Sequence, residues 1–255
     1  EIDGQTIHLV HVRSSRADAT PLLLTHTYPG SFAEFVDLIG PLTEPQEHGE
    51  PDAPAFHLVI PSLPGVAFST PLSDGAWTAE RVARTWDALM RGLGYDSYGV
   101  HGSDIGATIA REIASAQPVG FRGAHVLQLF SFPSGDPAEF ERMTPEDYAA
   151  LEFAGWFSTV NGYATVNASR PNTIAAALTD SPVGLLAYNE LFENFGKNPT
   201  GLTPEQVLTQ VSLYWLTRSA VGAVRYYRTD RDTETSVNHG PIGVIRPPTP
   251  PRKIA

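Results

Sequence analysis

Gly102-Ser103-Asp104-Ile105-Gly106 stands between the apolar run Tyr98-Gly99-Val100-His101 and the helix-forming stretch Ala107 to Ala114. A strand that must turn into a helix over so short a span, with a glycine on each side of the turn, has few ways to fold. The backbone is strained and one side chain is pushed out at the end of the strand, where β-carbons on both flanks would collide. That side chain belongs to Asp104. A serine there suits attack on an acyl carbon. A carboxylate suits displacement at a saturated electrophilic carbon, such as that of an epoxide or alkyl halide, and leaves an alkyl ester on the chain. The pentapeptide alone occurs in many ordinary turns, so its meaning rests on the segments around it.

Those segments alternate. Ile7 to Val12, Leu22 to Thr25, Phe56 to Ile60, Tyr98 to His101 and His125 to Phe130 read as short strands, most of them followed by proline or glycine. Helical patterns lie between them at Ser31 to Leu38 and at Trp77 to Leu93, where Val82, Trp86, Leu89, Met90 and Leu93 recur at helical spacing. This predicts an α/β fold with a mostly parallel sheet flanked by helices, whose sites gather at the carboxyl ends of the strands. Residues 1–133 form the first part of this core. From Ser134 the strand signals stop. Thr144-Pro145-Glu146-Asp147, Ser181-Pro182 and Thr203-Pro204-Glu205-Gln206 are helix starts, and they predict a helical insertion over 134–238. Ile242 to Ile245 reads as a returning strand, so 239–255 is the start of a core that resumes and is cut off. Asn167-Ala168-Ser169 matches a glycosylation sequon by chance.

With 255 residues, 42% hydrophobic and 18% charged, the chain can bury a sizeable core. A net charge of -11 and a pI near 5.1 make nucleic acid and anionic membranes poor partners, and a small neutral ligand fits better. The absence of cysteine excludes disulfides and thiol catalysis. No apolar stretch approaches the roughly 18 residues of a membrane span, and no signal peptide opens the chain, so a cytoplasmic setting is expected. No cofactor or metal is expected.

His26-Thr27-Tyr28-Pro29-Gly30-Ser31-Phe32, Pro61-Ser62-Leu63-Pro64-Gly65, Leu93-Gly94-Tyr95, the Asp104 turn and Leu178-Thr179-Asp180-Ser181-Pro182 follow one another in an order that resembles epoxide hydrolases of the α/β-hydrolase fold, in their microsomal-type branch. The resemblance covers nearly the whole chain. It implies Asp104 as nucleophile, the amides of Tyr28 and Ile105 as an oxyanion hole, and two tyrosines of a helical lid, Tyr163 and Tyr227, as proton donors to the opening epoxide. Within Arg225-Tyr226-Tyr227 the best aligned residue is Tyr227. His26 is expected to be structural, and Asp180 to cap a helix.

The pattern is incomplete. The acid of the resembling enzymes aligns near Pro250, and no carboxylate lies between Gly240 and Ala255; their histidine base follows a strand this sequence does not contain. His101, His125 and His239 are poor substitutes, and Asp136 could serve as a relocated acid only beside a base. Of the region that precedes the core in that branch, a trace remains at Ile2-Asp3-Gly4. Thr27 replaces a usual glycine and Ile105 a usual tryptophan. The reading favours a piece of a longer enzyme, competent for the first half-reaction and incomplete for the second, over a degenerate copy. Two alternatives stand. One is a haloalkane dehalogenase-like hydrolase, disfavoured because Ile105 cannot donate to a halide. The other is a binding protein that keeps the fold without turnover. Oligomeric state is not readable.

Overall fold

A computed structural model describes residues 1–75, 77–127, 133, 135–190, 201–229 and 240–244. Its sheet contains β1 (Leu9–Val12), β2 (Thr20–Thr25), β3 (Phe56–Pro61), β4 (Tyr98–Gly102), β5 (Phe121–Val126) and β6 (Ile242–Val244), in the order β1-β3-β2-β4-β5-β6. β1 runs antiparallel to β3, and every other neighbouring pair is parallel. Successive residues of a strand face opposite sides. Leu23, Val59 and Val100 therefore belong to the larger core, while Leu24, Leu58 and Ile60 join Phe35 in a smaller one.

The larger core is covered by α2 (Ala79–Gly92) packed on α3 (Ile105–Ala116). Thr78 caps α2 by accepting from the Arg81 amide, and Val82, Trp86, Leu89 and Met90 form its buried stripe, as their spacing predicts. Ile109 and Ile113 of α3 meet them, each fully buried apolar side chain contributing about 1.5–3 kcal/mol. The smaller core lies against α1 (Ile39–Thr43) and the run Phe32–Leu38, which is a tight 3-10 helix behind a Ser31 cap where the sequence suggested an ordinary helical pattern.

β5 departs from expectation. The reading His125 to Phe130 gives way to Phe121–Val126, with residues 128–130 outside the described part. Only Ala124 and Val126 of this strand are buried, and alanine is small, so there is little apolar alternation to read. Pairing with β4 and β6 on either side decides the strand instead. Ser134, His239, Ile245 and the Pro250 position also lie outside the described residues.

Between β5 and β6 the described elements are all helical: α4 (Pro137–Phe140), α5 (Pro145–Val160), α6 (Gly162–Ser169), α7 (Pro171–Asp180), α8 (Pro182–Tyr188), α9 (Pro204–Leu216), α10 (Ala220–Ala223) and α11 (Tyr226–Thr229). Thr144 and Thr203 each form the reciprocal capping box their sequences announce. Asp180 is not the cap expected of it. It ends α7, and the Ser181 hydroxyl caps α8 by accepting from Gly184 N–H at 2.9 Å. Asp136 caps α4 by accepting from Ala138 N–H, an exposed structural role rather than that of a relocated acid. The helical segment is bonded to the loops after β2 and β3. Buried Ala67 N–H donates to Ser219 Oγ at 2.7 Å, and the Tyr226 hydroxyl donates to Pro64 O at 3.1 Å. Among the described residues no helix is long and apolar enough to cross a membrane.

Candidate active site

The register of the two central strands assembles the site. Thr25 of β2 pairs with Gly102 of β4, so the loop that begins at His26 and the turn that carries Asp104 leave the sheet side by side. Asp104 has φ 53 and ψ -125, a conformation that costs a side-chain-bearing residue about 1–3 kcal/mol. The flanking glycines make the turn possible. A Cβ on Gly102 would lie 2.1 Å from Gly106 O, and one on Gly106 would lie 2.3 Å from Thr25 O.

The Asp104 carboxyl accepts a hydrogen bond from Tyr28 N–H at Oδ2, 2.9 Å away, and a second from the Ile105 amide. It stands at the amino end of α3, where the helix dipole also favours negative charge. Burial nevertheless outweighs the two amides and raises its pKa above the ordinary carboxylate value. The result is a carboxylate poorly solvated yet fixed in orientation, a good state for a nucleophile.

The loop that supplies Tyr28 is tied on several sides. Leu63 N–H donates to His26 Nε2 at 3.0 Å, so Nδ1 carries the proton and donates to Thr27 O at 2.9 Å. Burial holds His26 down to a pKa of about 4, and it is the neutral structural histidine expected. Helix α9 contributes Gln210 Nε2, donating to Pro29 O at 2.7 Å, and the Tyr214 hydroxyl, donating to Gly30 O at 2.8 Å.

Tyr163 enters from α6 and Tyr227 from α11. Their rings meet edge to face at 6.1 Å, and Tyr227 meets the Tyr28 ring in the same way at 5.4 Å. Burial raises the pKa of both phenols, and the Asp104 charge raises them further, which places both within its electrostatic reach. The adjacent Tyr226 donates to Pro64 O, while Tyr227 meets the rings of Tyr28 and Tyr163. The structure thus brings Asp104, Tyr28, Ile105, Tyr163 and Tyr227 together.

Sequence reasoning missed other neighbours. Tyr28 donates through its hydroxyl to Asn189 Oδ1 at 3.1 Å, Tyr188 donates to Asn167 Oδ1 at 2.9 Å, and Glu34 bonds Thr27. Gln210 and Tyr214 could have been suspected as polar residues one helical turn apart on the buried face of α9. Among the described residues, no histidine hydrogen bond reaches Asp104. His8 engages Ser62, His11 engages Tyr95, His57 accepts from Ser14, and His101 and His125 engage each other. No described cluster of three or more His, Cys, Asp or Glu could hold a metal ion. An open groove of about 570 Å³ along α9, lined by Phe68, Leu208, Leu213 and Leu216 among others, includes none of the residues around Asp104.

A mostly parallel sheet flanked by helices, with a strained acid turn after β4 and an amide donor after β2, defines the α/β-hydrolase fold. The alpha/beta hydrolase fold family matches residues 20–151, and the chain belongs to it. Its similarity within that family is to epoxide hydrolases. The family described as "Epoxide hydrolase N terminus" matches residues 1–35, further than the Ile2-Asp3-Gly4 trace suggested. A protein of Stigmatella aurantiaca named provisionally as an epoxide hydrolase is 38% identical, over 89% of this chain and 52% of that protein. Epoxide hydrolase 1 of Sus scrofa is 32% identical, over 89% of this chain and 56% of its own length. The chain thus spans about half the length of these relatives. Among solved structures, the epoxide hydrolase of Aspergillus niger superposes with a TM-score of 0.76 at 33% identity, covering 90% of this chain and 59% of that one. The juvenile hormone epoxide hydrolase of the silkworm Bombyx mori gives 0.78 at 31%, covering 91% and 60%.

Proposed function

We propose that this chain carries the ring-opening half of an epoxide hydrolase. The observation that supports it most is the Asp104 carboxyl, held at Oδ2 by the Tyr28 amide with the phenols of Tyr163 and Tyr227 within reach of its charge. In this reading the helical segment over 134–238 is the lid above the site. The substrate is a small apolar epoxide.

The oxygen opposite Oδ2 attacks a ring carbon, the carbon–oxygen bond breaks, and the departing oxygen takes a proton from Tyr163 or Tyr227. A phenol near pKa 10 can donate to an alkoxide but not lose its proton to water at neutral pH, and the upward shifts of both tyrosines keep them loaded. The product is an ester of Asp104. Its hydrolysis to a vicinal diol requires an activated water. As water adds to the ester carbonyl, charge develops on the oxygen that the Tyr28 and Ile105 amides address, each donor of this kind being worth about 3 kcal/mol. That water needs a general base and an acid to orient the base.

The experiment is a titration of the chain with styrene oxide and, in parallel, with a haloalkane of similar size. Consumption of about one equivalent of epoxide per chain, with the haloalkane untouched, supports the proposal. Halide release would transfer the reading to dehalogenase chemistry. A folded chain that consumes neither would leave only a binding role.

A further inference from the structure

Thr27 stands where the resembling enzymes carry glycine, and its side chain is engaged. Its amide donates to Glu34 Oε1 at 3.0 Å and its hydroxyl to Glu34 Oε2 at 2.8 Å, so both oxygens of one carboxylate close on one residue. Such paired, charge-assisted bonds fix geometry as well as supply energy. Glu34 reaches Thr27 from the first turn of the 3-10 helix, passing over Gly30. A Cβ at Gly30 would stand 2.0 Å from Glu34 Oε2 and 2.2 Å from Thr27 Oγ1, so the bridge exists only because residue 30 is glycine. The next amide along the chain is Tyr28 N–H, the donor to Asp104.

We propose that Glu34 is a positioning residue: by gripping Thr27 through two hydrogen bonds it holds the Tyr28 amide on Asp104, and Thr27 supplies a second bond that glycine could not. Its kinetic consequence rests on the epoxide-opening reading; the geometry does not. Although Glu34 keeps an exposed surface, the protein around its carboxyl raises its pKa to about 7, mainly by desolvation and further by the Asp104 charge, against the two Thr27 bonds. The groups facing it are Asp104 on the turn and Tyr214 on α9, whose own pKa the Glu34 charge helps to raise. No ion pair to Glu34 occurs among the described residues. When Glu34 takes up a proton, one oxygen becomes a donor and the grip loses an acceptor. The loop then loosens near neutral pH.

The test combines carboxyl and amide NMR titrations with the rate of covalent modification by styrene oxide. The Tyr28 amide shift is expected to follow a Glu34 titration centred near pH 7, and Glu34→Gln to abolish that dependence. The same substitution should slow modification about tenfold, the loss of one hydrogen bond's worth of positioning, and flatten the rate profile around neutrality. Thr27→Val removes only the hydroxyl and should move the Glu34 midpoint upward, which keeps the test alive if Glu34→Gln fails to fold. A Tyr28 amide indifferent to Glu34, or an unmoved midpoint in Thr27→Val, would overturn the proposal. If the wild-type chain is never modified by an epoxide, the ring-opening reading fails, and the NMR titrations still decide the role of Glu34.

Discussion

Gly106→Ala places a methyl group where helix α3 meets the end of β2. The new Cβ would stand 2.3 Å from Thr25 O and 3.0 Å from His26 O, against an ordinary contact that begins at 3.4 Å. Both opposing atoms are backbone, so relief requires a shift of about 1 Å between helix and strand, and overpacking on this scale costs about 1–3 kcal/mol. For a chain of this size each kcal/mol lowers the melting temperature by about 2–4 °C, so a cost near 2 kcal/mol predicts a fall of about 4–8 °C. The displaced atoms lead directly to Tyr28, and misplacement of a catalytic donor by about 1 Å can slow a reaction up to a hundredfold. Gly155→Ala is the control. It sits inside α5 with nothing within 4 Å of the added methyl, so alanine should stabilise by about 0.5–1 kcal/mol. Thermal and urea unfolding followed by circular dichroism measure both variants, and intact-mass kinetics measure epoxide modification. A Gly106→Ala chain as stable and as reactive as wild type would refute the steric account of the turn.

Tyr163→Phe and Tyr227→Phe should each slow modification by about 10–100-fold, and the double variant by about 10²–10⁴-fold, in single-turnover kinetics. The wild-type rate should fall as acid protonates Asp104, with a midpoint above the ordinary carboxylate value because burial raises it, and no alkaline loss should appear below the raised tyrosine range. Linkage gives a sign for stability. A folded-state pKa raised above its unfolded value means that the contribution of Asp104 is full below the unfolded pKa and lost as pH rises through the folded one. Asp104→Asn should therefore gain on wild type in urea unfolding as pH rises above the ordinary carboxylate value. Ser219→Ala leaves the buried Ala67 amide without its acceptor and should cost about 1–3 kcal/mol in the same assay.

The turn at Asp104 was legible because glycine spacing and the adjoining strand and helix patterns all point one way. The capping boxes at Thr144 and Thr203 were legible because their bonds are local. β5 was not, since Gly123 and Ala124 lack the large apolar side chains that mark a strand, and its bounds come from pairing with neighbouring strands. The start at Ser181-Pro182 was legible because its bond is local too, whereas a cap was wrongly expected at Asp180, one residue earlier, because either side chain can accept from a helix amide. Tyr163 and Tyr227 were reachable through resemblance, but their encounter with Tyr28 joins elements over a hundred residues apart. Glu34 was invisible for a different reason. An acid in the first turn of a helical run reads as an ordinary dipole complement, and its grip on Thr27 depends on the space left by Gly30.

If Asp104 supplies the oxygen in carbon–oxygen bond formation, the opened epoxide stays on its carboxyl as an ester. The chain is incubated with styrene oxide, then weighed intact and mapped by peptide mass spectrometry, beside Asp104→Asn and with cooperative unfolding verified for both. One added epoxide mass per chain is expected, located on the peptide containing Asp104 as a hydroxylamine-labile ester, and none on Asp104→Asn. A folded chain that stays unmodified, or that carries the added mass at another residue, would contradict that role for Asp104.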